Sequence, residues 1–318
     1  MADIIKLELI KKILNEIDPI QMIEDGFVAY SLGKVVVPPV GEMIFQNPPG
    51  DCHIKYGYIK NGDYYIVKIA SGFYENPKIG LPSNTGLNLV FNQKTGQLEC
   101  ILLDEGYLTN IRTAAAGAVA AKYFAPKQVN RIGIYGSGDQ GRLQLRFLKN
   151  VLKCRDALVW GISQDELDRY RNDMKDSGFN IETTLDSADI PQSCNFIVTC
   201  TPSKKPLILA NQVRPGTHIT AMGSDTPEKQ ELDPEILARA DKIIVDSKFQ
   251  VETRGECFKA MQAGAISKEK LIELGETIQN PSYQRENDEE ITVVDLTGVA
   301  IQDIQISKAI LVKYQKLY

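Results

Sequence analysis

The sequence predicts an α/β fold: a Rossmann-type, doubly wound parallel sheet plus a smaller α+β domain with antiparallel strands. Three observations carry this. From Arg131 onward, short apolar runs alternate with amphipathic stretches, the pattern of a mostly parallel sheet with helices between its strands. Between Val35 and Leu103, β-rich runs follow one another through Pro, Gly and Asn turns without a helix, as in an antiparallel meander. Where the alternating part begins, the run Ile132–Tyr135 breaks into Gly136-x-Gly138-x-x-Gly141 and then into Leu143, Leu145, Phe147 and Leu148. A strand, a tight glycine turn and a helix are the context that a dinucleotide fingerprint needs.

Residues 3–32 read as helical, because Ile4, Ile5, Leu7, Ile10, Ile13, Leu14 and Ile17 recur at helical spacing and Pro19 introduces a second helix. Val35–Val37 stops at Pro38-Pro39, and Met43–Phe45 stops at Pro48-Pro49-Gly50. The run from His53 turns at Asn61-Gly62, a strong hairpin signal, into Tyr64–Ile69. Gly86–Phe91 and Leu98–Leu103 are joined through Lys94-Thr-Gly96. An alanine-rich helix is expected over Thr113–Phe124, bridging two domains. Strands are expected at 132–135, 157–160, 180–184, 196–200, 217–222, 242–246 and 291–295, a polar loop over Gln279–Glu290, and a final helix over Ile304–Tyr318. The expected division is 1–113 with 300–318 as a substrate-binding and dimerisation domain, and 114–299 as the dinucleotide-binding domain.

The totals exclude several function classes. With 36 basic and 41 acidic residues the net charge is −5, which gives no electrostatic reason to expect nucleic acid or an anionic membrane as partner. No stretch approaches the ~20 apolar residues of a membrane span. Asp3, Lys6 and Glu8 break the apolar N-terminus, so it does not read as a signal peptide. The six cysteines have no CxxC spacing and read as reduced thiols of a cytoplasmic protein. The two histidines, His53 and His218, are far apart in sequence, which argues against histidine-based metal sites and multi-histidine catalysis; no metal is expected.

Chemistry therefore falls to charges in apolar or glycine-rich surroundings. In the fingerprint, Gly136 permits the turn, Gly138 permits backbone approach to a pyrophosphate, and Gly141 permits close helix–strand packing. The helix N-terminus after Ser137, Gly138, Asp139 and Gln140 then offers N–H groups to phosphates. Lys68 lies inside an apolar strand on the face of Tyr64 and Ile66; the alternative is an outward lysine on an exposed face. Arg112 stands at the expected helix start, where the helix dipole disfavours a cation unless an anion meets it. Asp225 follows the strand Ile219–Met222 at a sheet edge where ligands bind in such folds; its bland alternative is a turn or capping residue. No acid stands at the end of the second Rossmann strand, Trp160-Gly-Ile-Ser163, to grip a ribose, and no arginine to meet a 2′-phosphate. Asp165 is a fallback, so NAD and NADP both stay open.

Leu108-Thr-Asn-Ile-Arg-Thr-Ala-Ala-Ala, Gly136-Ser-Gly-Asp-Gln, His218–Asp233 and Thr292–Asp303 together resemble the ornithine cyclodeaminase/mu-crystallin family, in order and along nearly the whole chain. The resemblance implies an NAD(P)(H)-dependent homodimeric oxidoreductase moving hydride to or from Cα of a small amino acid or imine: a dehydrogenase, a cyclodeaminase or an imine reductase. It implies that Lys68 and Arg112 hold the substrate carboxylate, that Asp225 is the acid/base, and that Thr85, Lys229 and Thr297 line the cofactor beside Gly136–Gln140. Arg112, Ser163, Thr201, Met222 and Gly223 complete the expected cofactor lining. Two departures stand out. A Pro-x-Arg that supplies a further carboxylate ligand in many members is Pro38-Pro39-Val40 here, and an acidic residue of ornithine cyclodeaminase falls near Lys55. An inward Lys55 favours a dicarboxylate-like or acylated side chain over a free diamine. His53-x-Lys55-x-x-Tyr58 and Gly80-Leu-Pro-Ser83, similar to the ectoine-breakdown branch, keep a diaminobutyrate-type substrate open. The family also includes lens crystallins, which implies the alternative of a cofactor binder with little turnover.

Overall fold

The computed structural model describes residues 2–73 and 75–317. The chain divides into two compact units, Met1–Thr113 with Val299–Tyr318, and Ala114–Gly298. In chain order the first unit holds β1 (Asp3–Lys6), α1 (Leu7–Leu14), α2 (Pro19–Ser31), β2 (Val35–Val36), β3 (Gly41–Gln46), β4 (Pro49–Ile59), β5 (Tyr64–Gly72), β6 (Asn84–Asn92) and β7 (Leu98–Leu103). Helix α3 (Tyr107–Phe124) contains the boundary between the units. The second unit follows with β8 (Ile132–Tyr135), α4 (Asp139–Leu148), β9 (Asp156–Trp160), α5 (Gln164–Asp173), β10 (Asn180–Thr184), α6 (Asp189–Ser193), β11 (Phe196–Thr199) and β12 (Lys204–Ile208). It continues with β13 (His218–Ala221), β14 (Gln230–Leu232), α7 (Pro234–Arg239), β15 (Lys242–Val245), α8 (Glu256–Gln262), β16 (Leu271–Glu273), α9 (Leu274–Gln279) and β17 (Thr292–Asp295), and α10 (Ala300–Leu317) closes the chain in the first unit.

The sheet of the first unit runs β1-β7-β6-β5-β4-β2, with β3 also paired to β4. From β2 to β7 its pairings are antiparallel, and the β4–β5 turn places Asn61 at φ 61, the left-handed backbone that an Asn-Gly turn accommodates. Three expectations need correcting. Residues 3–6 are not helical: they form β1, paired in parallel with β7 over Asp3–Lys6. Local helical spacing lost to this long-range pairing, which buries Ile5 and leaves Ile4 outside. The helix expected from Thr113 starts at Tyr107, because Asp104 accepts the Leu108 N–H at 2.8 Å and caps it. Arg112 therefore lies in its second turn and not at its start. Likewise α10 begins at Ala300 rather than Ile304, which brings Asp303 into its first turn; Tyr318 lies outside the described residues.

The eight-stranded sheet of the second unit is parallel throughout, in the order β10-β9-β8-β11-β13-β17-β15-β16. The order grows outward in both directions from β8 and β11, so the crevice beyond the carboxyl ends of these two strands is where such sheets take ligands. Strand β16 and the short parallel pair β12–β14 were not expected from the sequence. Its core includes Tyr135, Ile197, Ile219, Val245 and Val293. His218 belongs to that core: its ring nitrogens lie 2.8 Å from Thr292 Oγ1 and Thr220 Oγ1, and burial holds its pKa well below the usual histidine value.

Candidate functional site

In the first unit the hairpin register builds a row of polar side chains. Lys55 on β4 is directly opposite Lys68 on β5, and Lys68 is opposite Asn88 on β6. Lys68 is 2% exposed, so the outward alternative is excluded; Lys55 and Asn88 are buried as well. Like charges directly opposite on a sheet repel, and charges removed from water need partners. Helix α10, which packs on this sheet, supplies one. Asp303 Oδ1 lies 3.2 Å from Lys68 Nζ and 3.3 Å from Arg112 Nε, while Arg112 Nη1 donates to Gln302 Oε1 at 2.6 Å. Burial lowers the Lys68 pKa and outweighs the opposing pull of Asp303. Burial works against the charged form of Asp303 too, yet Lys68, Arg112 and Lys55 hold it below the ordinary carboxylate range. Burial pushes Asp104 up to about 6, and Asn88 Nδ2 donates to it at 3.3 Å. The arrangement is a buried cationic group assembled on one carboxylate.

Sequence reasoning missed Asp303, although it ends the stretch Thr292–Asp303 that carries the resemblance. An acid among Val299, Ala300, Ile301 and Ile304, one helical turn after Ala300, was the available signal. Thr85 also lies in this unit, exposed at the start of β6.

In the second unit the glycine turn has the conformations its sequence requires. Gly136 has φ 119, and a Cβ on Gly141 would come within 2.1 Å of the Gly136 carbonyl oxygen. A Cβ on Gly138, by contrast, would meet nothing within 4 Å. That open space lies at the N-terminus of α4, headed by Gly138, Asp139 and Gln140, and suits a pyrophosphate. Ser137 Oγ donates to Glu166 Oε2 at 3.2 Å, and Ser163 caps α5 by accepting from the Glu166 N–H. Asp165 occupies the first turn of the same helix.

Beyond β13, Asp225 Oδ1 is 2.7 Å from Lys229 Nζ, and Arg254 donates to the Asp225 carbonyl at 3.2 Å. Thr201, Met222 and Gly223 follow β11 and β13 along the same edge; Met222 Sδ accepts from Gln144 Nε2. Thr297, after β17, donates to Asp246 Oδ1 at 2.9 Å, and its hydroxyl accepts from Gln250 at 2.9 Å. The structure thus groups Lys55, Lys68 and Arg112 in one unit, and Asp225 with Lys229 in the other. Among the described residues no group of His, Cys, Asp and Glu could hold a metal ion, and no helix is long and apolar enough to cross a membrane.

The model of the ornithine cyclodeaminase/mu-crystallin family matches residues 3–316. The chain belongs to this family. An uncharacterized cyclodeaminase of Sinorhizobium fredii is 38% identical over 295 residues, which cover 92% of this chain and 89% of that one. The iminosuccinate reductase of Paracoccus denitrificans is 34% identical over 242 residues, covering 76% of this chain and 74% of the relative. Among solved structures, an archaeal alanine dehydrogenase dimer with bound NAD superposes with TM-score 0.88 at 32% identity, covering 99% and 96% of the two chains. The Thermococcus litoralis Δ1-pyrroline-2-carboxylate reductase, in complex with NADH and L-proline, gives TM-score 0.92 at 28% identity, covering 99% and 98%.

Asp303 is the anion that faces both Lys68 and Arg112, and that dependence is measurable. Asp303→Asn is expected to cost about 3–5 kcal/mol at neutral pH, the range for removing one partner of a buried ion pair, read by chemical unfolding. The folded Asp303 pKa is lowered. The carboxylate's contribution is therefore complete above the unfolded value of ~4 and fades as pH falls through the lower folded value. The gap between wild type and variant should close in acid; a gap that persists unchanged there would contradict the assignment.

Proposed function

We propose that this chain is an NAD(P)(H)-dependent oxidoreductase that moves hydride between the nicotinamide and Cα of a small amino acid or the corresponding imine. The observation that carries the reading is the buried convergence of Lys68 and Arg112 on a single carboxylate oxygen, at 3.2 and 3.3 Å. It supports a pocket built for an acid group, as do two similar solved structures, one with bound NAD and one in complex with NADH and L-proline. The cofactor, when bound, supplies or takes the hydride. Ser137, Gly138, Asp139 and Gln140 would hold its pyrophosphate, with Ser163, Thr201, Met222, Gly223, Lys229, Thr297, Thr85 and Arg112 around it.

In this mechanism Lys68 and Arg112 clasp the substrate carboxylate and fix the direction of the Cα–H bond. Such positioning is worth several powers of ten in rate. Asp225, oriented by Lys229, carries the proton between substrate nitrogen or water and solvent. A screen of amino acids, and of 2-oxo acids with ammonia, followed by NAD(P)H absorbance, is expected to show turnover. Asp225→Asn is expected to lower turnover by at least ~100-fold while cofactor binding persists. Near-normal turnover in that variant would remove Asp225 from the mechanism. Cofactor binding by the wild type without turnover of any compound would instead favour a crystallin-like binder.

Lys55 brings a third cation to the same buried row. We propose that it favours substrates with a second acid or an acylated group over free diamines, in which a second ammonium would meet the like charge of Lys55. Lys55→Gln is expected to reduce kcat/KM at least ~10-fold for a substrate carrying two carboxylates, and far less for alanine or pyruvate, as for loss of one charged hydrogen bond. Equal losses for both would refute the role.

The protein is proposed to act as a homodimer. The face of the first-unit sheet opposite Lys68 presents Tyr56 and Tyr58, each 37% exposed, beside Tyr65, Val67 and Pro38 in one concavity that Lys60, Gln93 and Lys94 also line. Light scattering is expected to give twice the chain mass, and Tyr58→Arg to shift the species toward monomer. A wild-type monomer at micromolar concentration would sink this part.

A further inference from the structure

The loops at the carboxyl edge of the parallel sheet are tied together by a carboxylate that the mechanism above does not use. Glu231, on β14, is 0% exposed. Its Oε1 accepts from the Thr201 N–H at 2.6 Å and from the Thr201 hydroxyl at 2.7 Å. Its Oε2 accepts from the Gly223 N–H at 2.9 Å and from the Thr199 hydroxyl at 2.7 Å. One side chain thus joins the end of β11, the loop after it and the loop after β13. Glu231 is itself held from behind, since its own N–H and that of Leu232 donate to the Glu256 carboxylate at 2.7 and 3.0 Å.

What this fixes lies beside the glycine turn. A Cβ built on Gly136 would sit 3.3 Å from the Thr201 methyl and 3.1 Å from the Cys200 carbonyl oxygen, so the segment 200–201 walls the turn. A Cβ on Gly223 would come within 2.2 Å of the Thr201 carbonyl oxygen and 2.5 Å of Glu231 Oε2. Gly223 therefore fits only where the two loops and the carboxylate meet. The Thr201 and Gly223 N–H groups, which could otherwise face a ligand at this edge, are committed to Glu231.

We propose that Glu231 is a positioning residue for the nicotinamide cofactor: it sets the loops after β11 and β13 against the dinucleotide turn. This rests on the reading that the Gly136–Gly141 turn holds the cofactor. The geometry makes glutamine a poor substitute. The two backbone N–H groups point to different oxygens, so an amide must turn its NH2 toward one of them and leave that donor unsatisfied in the interior. The hydroxyls of Thr199 and Thr201 can rotate; the backbone cannot.

The test titrates NADH and NADPH into wild type, Glu231→Gln and Thr201→Val, at a temperature where unfolding curves show each to be folded. Glu231→Gln is expected to raise the Kd of the preferred cofactor about tenfold or more. The KM of the amino or imino substrate, taken at saturating cofactor, should stay within about threefold, a split that general loosening of the fold would not give. Thr201→Val keeps the wall's shape and the Thr201 N–H bond to Glu231 but loses the hydroxyl's bond to Glu231 and the one it accepts from the Ser203 N–H, and a rise in Kd of about threefold is expected. A Glu231→Gln protein that loses thermal stability but binds cofactor within twofold of wild type overturns the proposal. If that variant does not fold, an unchanged Kd in Thr201→Val overturns it equally. A wild type that binds neither NADH nor NADPH refutes the functional reading itself, and the wild-type titration alone shows that.

Discussion

A single carboxylate oxygen shared by two buried cations is the constraint on which the first unit is built. Lys68 and Arg112 lie at 2% and 6% exposure, where removal of charge from water costs several kcal/mol per ion after relaxation. Asp303 supplies an anion from the first turn of the last helix. Lys55, Lys68 and Asn88 are brought into line by the register of β4, β5 and β6, in which a slip of one residue would turn every one of them to the opposite face. The antiparallel meander serves less as a core than as a ruler: it sets which polar side chains share a face, and α10 closes over that face.

The second unit answers the same problem with the opposite sign. Glu231, Glu256, Asp295 and Asp246 are all buried, and each accepts hydrogen bonds from backbone N–H groups of neighbouring segments. Asp246 accepts from the Gly298 N–H and the Thr297 hydroxyl, and Asp295 from the Cys257 N–H. Burial, with the neighbouring Asp246, pushes Asp295 up to about 7 despite the Cys257 N–H, and Glu256 rises well above its ordinary value. Buried acids in such positions cost stability as pH rises through their folded pKa values, because the ionised form is the one that burial disfavours. Their return is geometric: loops that would otherwise be joined only by their own strands are cross-linked by side chains.

How much of this was legible follows from how local each signal is. The glycine turn, the seven main strands of the parallel sheet and the Asn61-Gly62 hairpin could be read, since each is a pattern within about ten residues. Lys68 was suspect as a charge inside an apolar strand, though its inward direction was undecided until its cross-strand neighbours and α10 were in place. Strand β1 was read as helix because its pairing partner lies almost a hundred residues away, at Cys100–Leu103. Asp303 and Glu231 were passed over for the same reason. Asp303 reaches Lys68 across most of the chain, and Glu231 sits in Glu228-Lys-Gln-Glu-Leu-Asp233, a run that by composition reads as a solvated surface. Nothing local distinguishes a carboxylate that four donors will surround from one that water will.

That difference also sets what burial means for function here. A cation that a ligand must reach and a carboxylate that only braces a loop can look alike in exposure. They differ in whether their hydrogen bonds are complete. Glu231 accepts four bonds, and its role ends inside the protein. Asp303 Oδ2, Asn88 Oδ1 and Gln302 Nε2 are buried without a hydrogen-bond partner in the first unit. Unsatisfied buried groups cost about 1–3 kcal/mol each. Their position beside Lys68 and Arg112 sets this polar group apart from Glu231, whose four bonds are complete.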